Sequence, residues 1–215
     1  MYVFDNDPDK FKNLIEIAKN ISFDENDSYL ISYPKFIKFF KPNTNISEDD
    51  LIIGMNFVYG WMPTTLELKK EKKEQTLNEM IQKTLGTVNR IKNKSVKDDI
   101  ASDLLIIKTL MNNSVIGASK LLHFIYPDLF PIWDRNIYRY FFDDEPYEYR
   151  VNDEEVYIKY LQACRENEGS IGKVVADAIN LKLKASFGYK VKILRAMEMT
   201  MFYSVKAKQN NKFRG

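Results

Sequence analysis

The chain has 215 residues, of which 45% are hydrophobic and 29% are charged, with a formal net charge of +2 at pH 7. These values are ordinary for a globular protein of one large domain or two small ones. The single cysteine, Cys164, excludes an internal disulfide, and no apolar run approaches the length needed to cross a bilayer. Aspartates follow directly on the first four residues, so no signal peptide is predicted and we expect a cytoplasmic protein without a membrane partner.

The periodicity of the apolar residues favours helices throughout. They recur at helical spacing in most segments, and no segment shows the sustained alternation of a β-strand. Glycine and proline number only 8 and 7, which leaves few turn signals for hairpins. We therefore predict an all-α fold of eight to ten helices in a single domain over residues 1–215. A division into two helical lobes remains open, with 1–95 and the C-terminal helices in one lobe and 96–142 in the other.

Capping residues predict where the first helices begin. Asp7 and Pro8 predict a helix start, since aspartate is a favourable N-cap and proline fits the first turn. Pro34 interrupts an aromatic segment, so we expect a short helix to begin near it. Ser47 followed three residues later by Asp50 predicts a capping box on the next helix.

The middle of the chain predicts two further helices before the central segment. A long, heavily charged helix is expected over 65–85, with Gly86 closing it. Ser95 or Asp98 is expected to cap the apolar helix that follows.

The C-terminal third predicts an acidic loop over 143–153 and then three helices. The first covers 154–165, the second restarts at Gly169 and is broken by Gly188, and the last covers 191–205.

Charge is unevenly distributed along the chain. One basic group lies within 69–97 and another follows Lys182, whereas acidic residues concentrate in 143–155. Such asymmetry allows one face to contact phosphate while the opposite face stays acidic. A set of solvated helix faces explains the same pattern, so charge alone leaves both interpretations open.

Motifs with a defined chemistry are few. The sequence contains no P-loop, no dinucleotide-binding glycine motif, no Cys-x-x-Cys pair and no His-Glu-x-x-His. His123 and Cys164, each the only residue of its type, do not build a zinc site by themselves. We therefore expect neither a metal nor a cofactor.

The segment 117–139 carries the strongest functional signal. A glycine bend at Gly117 leads into an apolar helix that carries Lys120, and the free N–H groups at such a helix start can bind phosphate. Asp134 follows about one helix later, at the start of the next helix and beside Trp133. A carboxylate in that position is either a helix cap or an acid–base group.

This segment resembles the helix-hairpin-helix DNA glycosylases of the endonuclease III and 8-oxoguanine DNA glycosylase superfamily. The family has a pattern close to Pro-x-Asp-x-His-[Val/Ile] around its catalytic aspartate. Pro131, Asp134, Asn136 and Ile137 match that pattern with one extra residue after the proline.

The resemblance departs from the family in the hairpin. Only Gly117 of the family's two glycines is present, so the hairpin is degenerate. The family's Schiff-base lysine falls on Ser119, and Lys120 is one residue further on. Members without that lysine are monofunctional, and the aspartate acts alone in them.

What the resemblance implies is base excision from DNA. The target base leaves the stack, and Asp134 stabilises the positive charge that develops on the sugar, with Lys120 as a second candidate catalytic residue. The residues expected to form the base pocket are Trp61, Tyr126, Trp133 and Tyr138. The residues expected to contact DNA, the implied partner, are Gly117, Ser119, Lys120, Arg135, Arg139, Lys190 and Lys192.

These residues also have purely structural interpretations. Asp134 fits a plain N-cap, His123 a core histidine bonded to backbone, Lys120 a solvated residue and Trp133 a core residue. Two other functions therefore remain open. The first is a non-catalytic helical nucleic-acid-binding protein. The second is a helical interaction protein of phage or bacterial origin.

Overall fold

The computed structural model describes residues 7–40, 45–62, 64–68, 75–91, 100–142 and 144–212, with side chains described up to residue 209. Over these residues the chain is all-helical, with eleven α-helices and no β-strand, which confirms the predicted fold class. The helices are α1 (Pro8–Asn20), α2 (Ser28–Phe40), α3 (Glu48–Trp61), α4 (Leu77–Ile91), α5 (Ala101–Leu110), α6 (Val115–Ile125), α7 (Arg135–Phe142), α8 (Glu148–Val151), α9 (Glu154–Glu166), α10 (Lys173–Phe187) and α11 (Ile193–Lys212). One helix beyond the predicted range appears because the acidic loop contains the single-turn α8.

Several predicted helix boundaries are confirmed by their caps. Asp7 accepts the N–H of Asp9 at 2.9 Å at the start of α1. Ser47 and Asp50 form the predicted capping box on α3. Gly188 ends α10 with a φ of +74°, a left-handed conformation that costs glycine little.

Helix α2 continues through Pro34 without interruption, so the predicted helix start there is wrong. The helix begins six residues earlier, where the side chain of Asp27 accepts the N–H of Tyr29 at 2.9 Å. Proline has no N–H for the carbonyl four residues before it, that of Leu30. The hydroxyl of Tyr189 donates to this carbonyl at 2.8 Å and replaces the missing helical bond.

Helix α4 begins later than predicted. Thr76 and Glu79 cap it reciprocally, with Thr76 N–H donating to Glu79 Oε2 at 2.8 Å and Glu79 N–H to Thr76 Oγ1 at 3.2 Å. Residues 65–68 are not helical, which contradicts the expected start of the helix at 65. The following 69–74 lie outside the described residues.

The predicted end of this helix is also wrong, because Gly86 lies inside α4 and the helix continues to Ile91. The expected caps of the next helix, Ser95 and Asp98, lie outside the described residues, as does most of the basic group within 69–97.

The expected restart at Gly169 is instead a π-helical turn, Glu168–Gly172, that leads directly into α10. At Gly172 an added Cβ would lie 2.7 Å from Ile193 Cγ2, so only glycine allows α11 to pack this closely. Helix α11 extends beyond the predicted end at residue 205.

The helices pack in two sets around one apolar interior. Helix α11 contacts α1, α7, α9 and α10, whereas α6 contacts α2, α3 and α5. A single cluster of buried hydrophobic residues draws on both sets, and the division into two lobes stays a prediction. None of the described helices combines the length and the apolar character that a membrane span requires. The candidate site lies where α6, α11 and the start of α7 meet.

Candidate functional site

Asp134 caps helix α7. Its Oδ1 atom accepts the backbone N–H of Asn136 at 2.9 Å, and its carbonyl accepts the N–H of Tyr138 at 2.9 Å. A carboxylate is favourable there because the first N–H groups of a helix have no intrahelical partner. The capping interpretation is thus confirmed, and it leaves Oδ2 for another contact.

Lys120 makes that contact from α6. Its Nζ lies 3.0 Å from Asp134 Oδ2, and the two side chains are only 8% and 19% exposed. The same Nζ lies 5.6 Å from the ring centroid of Trp61, within cation–π range. The two candidate catalytic residues therefore form one ion pair, and Lys120 is not the solvated residue of the alternative interpretation.

Buried hydroxyl groups hold the backbone that leads to Asp134. Tyr157 and Tyr160 of α9 donate to two consecutive carbonyls of the 131–133 segment, at 3.1 and 3.2 Å. Ser119 of α6 accepts the N–H of Trp133 at 3.0 Å. All three hydroxyl-bearing residues are buried, so they place the carboxylate with little freedom.

Asp134 and Lys120 line a small cavity of about 110 Å³. Its remaining walls are Tyr29, Trp61, Met62, Ile132, Arg195, Glu198, Phe202 and Tyr203. An engineered cavity of roughly 150 Å³ accepts a benzene ring, so a nucleobase would fit this one only after a wall residue moves.

A second ion pair, Arg195 with Glu198, closes the cavity from α11. The Arg195 guanidinium contacts Glu198 Oε2, and the side chains are 4% and 2% exposed. The guanidinium also lies over the rings of Tyr33 and Trp61, at 4.7 and 5.6 Å from their centroids. Burial raises the pKa of Glu198 to about 7. The Arg195 charge opposes this shift, and the Asp134 charge adds to it.

The charged lining of the cavity is balanced rather than basic. Lys120 and Arg195 contribute two basic groups, and Asp134 and Glu198 contribute two carboxyl groups. Because both pairs are largely buried, removing one member would leave its partner without compensation at a cost of about 3–5 kcal/mol.

The rim of the cavity joins α2 to α11. Asp27, the cap of α2, accepts the hydroxyl of Tyr203 at 3.0 Å and lies 3.1 Å from Lys206 Nζ. Lys206 also lies over the Tyr29 and Tyr203 rings, at 5.8 and 5.2 Å. This lysine, 38% exposed, is a cation beside the cavity that phosphate could reach.

Trp61 separates the cavity from a neighbouring surface groove. The groove has a volume of about 460 Å³ and shares Tyr29 and Trp61 with the cavity. The Trp61 indole N–H donates to Ser32 Oγ at 3.0 Å, which holds the ring in place. The rest of the groove is lined by Ser28, Ser32, Phe36, Asn56, Phe57 and Gly60.

Of the four residues expected in the base pocket, only Trp61 lines the cavity. Trp133 and Tyr138 are fully buried, and the Trp133 indole donates to the carbonyl of Val151 at 2.9 Å. Tyr126 donates to the carbonyl of Val88 at 3.2 Å, away from the cavity lining. The expectation for these three is therefore corrected: they stabilise the fold around the site.

The expected phosphate-binding start of α6 is also corrected. Gly117 lies within the first turn of α6 rather than in a bend, and its N–H donates to Ser114 Oγ at 3.1 Å. An added Cβ there would lie 3.1 Å from the Tyr59 hydroxyl, so glycine permits close helix packing. Ser119 is fully buried and cannot reach a phosphate in this structure.

Most of the other residues expected to contact DNA already pair with acidic side chains. Arg135 pairs with Glu148, and Arg139 Nη2 lies 3.5 Å from Glu145 Oε2. Lys192 Nζ lies 3.1 Å from Asp128 Oδ1, with both side chains 62% exposed. Lys190 is exposed.

His123 has the core role that the structural interpretation predicts. Its Nδ1 lies 2.7 Å from the carbonyl of Phe130 and its Nε2 lies 2.9 Å from the Tyr33 hydroxyl. A carbonyl only accepts, so Nδ1 carries the proton and Tyr33 donates to Nε2. Burial and the Arg195 charge lower the pKa of His123 to about 3, which keeps the ring neutral.

Sequence reasoning missed Arg195 and Glu198 as site residues. They lie three residues apart on α11 and their neighbours along the helix are apolar or buried. Two oppositely charged residues at i, i+3 within a hydrophobic stretch were the signal that could have indicated this site. Charged side chains are rarely buried unless they are paired, so such a spacing indicates a buried ion pair.

Within the described ranges, no three histidine, cysteine, aspartate or glutamate side chains come close enough to hold a metal ion.

Comparisons of the chain with protein-family models, with curated proteins and with solved structures found no match.

Proposed function

We propose that the protein is a DNA glycosylase-like enzyme that hydrolyses the bond between a flipped base and its sugar. The observation that carries this proposal is the position of Asp134, fixed at a helix start, paired with Lys120 and lining a cavity with aromatic walls. A base must leave the duplex before such a bond is accessible, and this cavity would receive it once a wall residue moves.

Asp134 would act through Oδ2. Because Oδ1 is held by the N–H of Asn136, Oδ2 is the oxygen that can face the reacting sugar. The sugar gains oxocarbenium-like positive charge as the base departs, and a pre-oriented carboxylate stabilises it. Substrate must compete with Lys120 for this oxygen, so Lys120 shifts toward the substrate when the site is occupied.

The aromatic walls would hold the extruded base. Trp61, Tyr29 and Phe202 line the same cavity as Asp134, and stacking on aromatic rings contributes about 1–3 kcal/mol per base. Lys206 at the rim would contact a phosphate, as would the exposed Lys190.

The reaction would be hydrolytic, without strand cleavage. An amine attacks a sugar carbon only as the free base, and Lys120 is held in an ion pair with Asp134. Borohydride trapping checks this point, since a lyase would form a covalent Lys120 adduct with DNA that Lys120→Met abolishes.

The test is base release from oligonucleotides carrying uracil, hypoxanthine, 8-oxoguanine or 7-methylguanine, single-stranded and in duplexes. Asp134→Asn keeps an oxygen to cap α7 but removes the charge, so base release should fall at least about 100-fold while DNA binding persists. Asp153→Asn is the matched control, because Asp153 caps α9 with the same 2.9 Å bond to the second helical N–H.

Both outcomes are readable. Base release by the parent protein that Asp134→Asn abolishes and Asp153→Asn leaves intact supports the proposal, provided that Asp134→Asn remains folded by circular dichroism. Equal activity of the two variants would contradict it, as would failure of the parent protein to release any of the four bases.

A second candidate function is non-catalytic nucleic-acid binding. It is favoured by the fact that both oxygens of Asp134 already have partners. In that case all variants bind DNA with a steep salt dependence and none releases a base. Binding without salt dependence, or no binding, would favour an interaction protein with no nucleic-acid role.

A further inference from the structure

The pair formed by Arg195 and Glu198 is the least expected feature of α11. Burying two charges costs several kcal/mol per ion, and hydrophobic residues of similar size would stabilise the helix at least as well. Both residues line the cavity that Asp134 lines, so the burial places a second carboxyl group inside the candidate site.

We propose that Glu198 is a second catalytic residue of this site, the carboxylic acid that protonates the departing base. This inference rests on the proposed base excision. It assigns different tasks to the two carboxyl groups of one cavity, with Asp134 facing the sugar and Glu198 facing the base.

The surroundings of Glu198 favour its protonated form. The charged or titratable groups that act on it are Arg195 and Tyr203 of α11, Lys120 of α6, Asp134 at the start of α7, Tyr33 of α2, and Tyr160 and Cys164 of α9. Burial is the largest influence and raises the pKa, the Asp134 charge raises it further, and the Arg195 and Lys120 charges lower it. A carboxyl group whose pKa is raised toward neutral pH is the usual proton donor in acid–base chemistry.

The proposed step balances in atoms and charge. The bond between C1′ and the base nitrogen breaks, its electron pair stays on the base, and the Glu198 carboxyl transfers its proton to the base. Water adds to C1′ and its proton passes to Asp134. Exchange with solvent then restores both carboxyl groups, and the sum is hydrolysis.

Arg195 would position this acid. Its hydrogen bond to Glu198 strengthens once Glu198 is ionised, which stabilises the state after proton transfer. The buried Nε–H of Arg195 has no hydrogen-bond partner among the described residues, so an acceptor atom of a bound base could take it.

The test compares bases that need a proton to leave with bases that do not. Hypoxanthine and uracil depart as anions unless protonated, whereas 7-methylguanine is already cationic and 5-fluorouracil forms a more stable anion. Glu198→Gln should lower release of hypoxanthine or uracil at least about 100-fold and change release of 7-methylguanine or 5-fluorouracil by less than about tenfold. The parent rate on hypoxanthine or uracil should fall above about pH 7, and this limb should vanish in Glu198→Gln.

Controls separate catalysis from folding. Glu155→Gln makes the same change at an exposed position of α9 and should leave all rates unchanged. An equal loss on both classes of base in Glu198→Gln, with an unchanged pH profile, would overturn the inference and leave the proposed function intact. If Glu198→Gln does not fold, Glu198→Asp is measured in its place. A fall in rate with rising pH that persists in Glu198→Asp, at a reduced rate, supports the inference, and the absence of this fall overturns it. No base release by the parent protein would overturn both proposals.

Discussion

Removal of the Tyr189 hydroxyl tests how α2 tolerates a proline in its interior. Pro34 leaves the Leu30 carbonyl without its helical donor, and the Tyr189 hydroxyl supplies a bond of 2.8 Å instead. Leu30 is fully buried, so water is a poor substitute for the lost donor. Tyr189→Phe keeps the ring and removes only this donor.

The size of the effect follows from the burial of that carbonyl. A buried polar group left without a partner costs about 1–3 kcal/mol, so Tyr189→Phe should lower the free energy of unfolding by that amount. For a chain of 215 residues, each kcal/mol shifts Tm by about 2–4 °C.

A double-mutant cycle isolates the cause. Pro34→Ala restores a backbone N–H for the Leu30 carbonyl, so Tyr189→Phe should cost less than about 0.5 kcal/mol in that background. The coupling energy between the two positions should therefore reach about 0.5 kcal/mol or more. Urea denaturation followed by far-ultraviolet circular dichroism measures all four proteins.

Two results would refute this reasoning. The first is an equal cost of Tyr189→Phe with and without Pro34. The second is a similar cost for Tyr147→Phe, which removes a hydroxyl from a tyrosine that is 54% exposed and should change stability little.

The remaining predictions concern packing and pH. Gly172→Ala should cost about 1–3 kcal/mol because the new Cβ would lie 2.7 Å from Ile193 Cγ2, whereas Gly169→Ala in the same turn meets nothing within 4 Å and should be neutral or stabilising in thermal denaturation. The pKa of Glu198 is raised from 4.5 to about 7. Its contribution to the free energy of unfolding is therefore fully present below pH 4.5 and is lost as pH rises to about 7. The free energy of unfolding of the parent protein, relative to that of Glu198→Gln, should therefore rise by roughly 3 kcal/mol as pH falls through this window. Urea denaturation measures this difference, and a difference that does not change with pH would contradict the assignment. His123 has the opposite sign: its pKa is lowered to about 3, so its contribution is present above pH 6.5 and is lost as pH falls toward 3, which comparison with His123→Gln measures.

Local signals in the sequence were sufficient to predict the helical class and many helix ends. Asp7, the Ser47–Asp50 box and Gly188 act on backbone groups only a few residues away, and the structure confirms each of them. Their effect depends on local hydrogen bonds, which a short stretch of sequence contains.

Errors arose where a distant residue decides the local structure. Pro34 is tolerated because of a tyrosine 159 residues from Leu30, which no local pattern reveals. Gly117 was interpreted as a chain bend, whereas it is a position where another helix comes close, as is Gly172, which carried no prediction. Glycine serves both purposes, and the sequence alone does not separate them.

The candidate site was predicted in part. The pairing of Asp134 and Lys120 lies within a single segment, and both residues were named from it. Arg195 and Glu198 come from a helix some sixty residues further along, and their importance appears only when α11 packs against α7. Trp133 and Tyr138 were assigned to the pocket because they flank Asp134 in sequence, but a helix start directs neighbouring side chains to different sides.

The indole of Trp61 forms a wall shared by two spaces. On one side lies a hollow of about 110 Å³ and on the other a groove of about 460 Å³. A hydrogen bond to Ser32 and packing against the rings of Tyr29, Phe36 and Phe124 keep the indole between them. The ring cannot turn into either space without breaking that hydrogen bond and its contacts with the neighbouring aromatic rings. The bulk of this one indole therefore sets the boundary of the hollow that Asp134 lines.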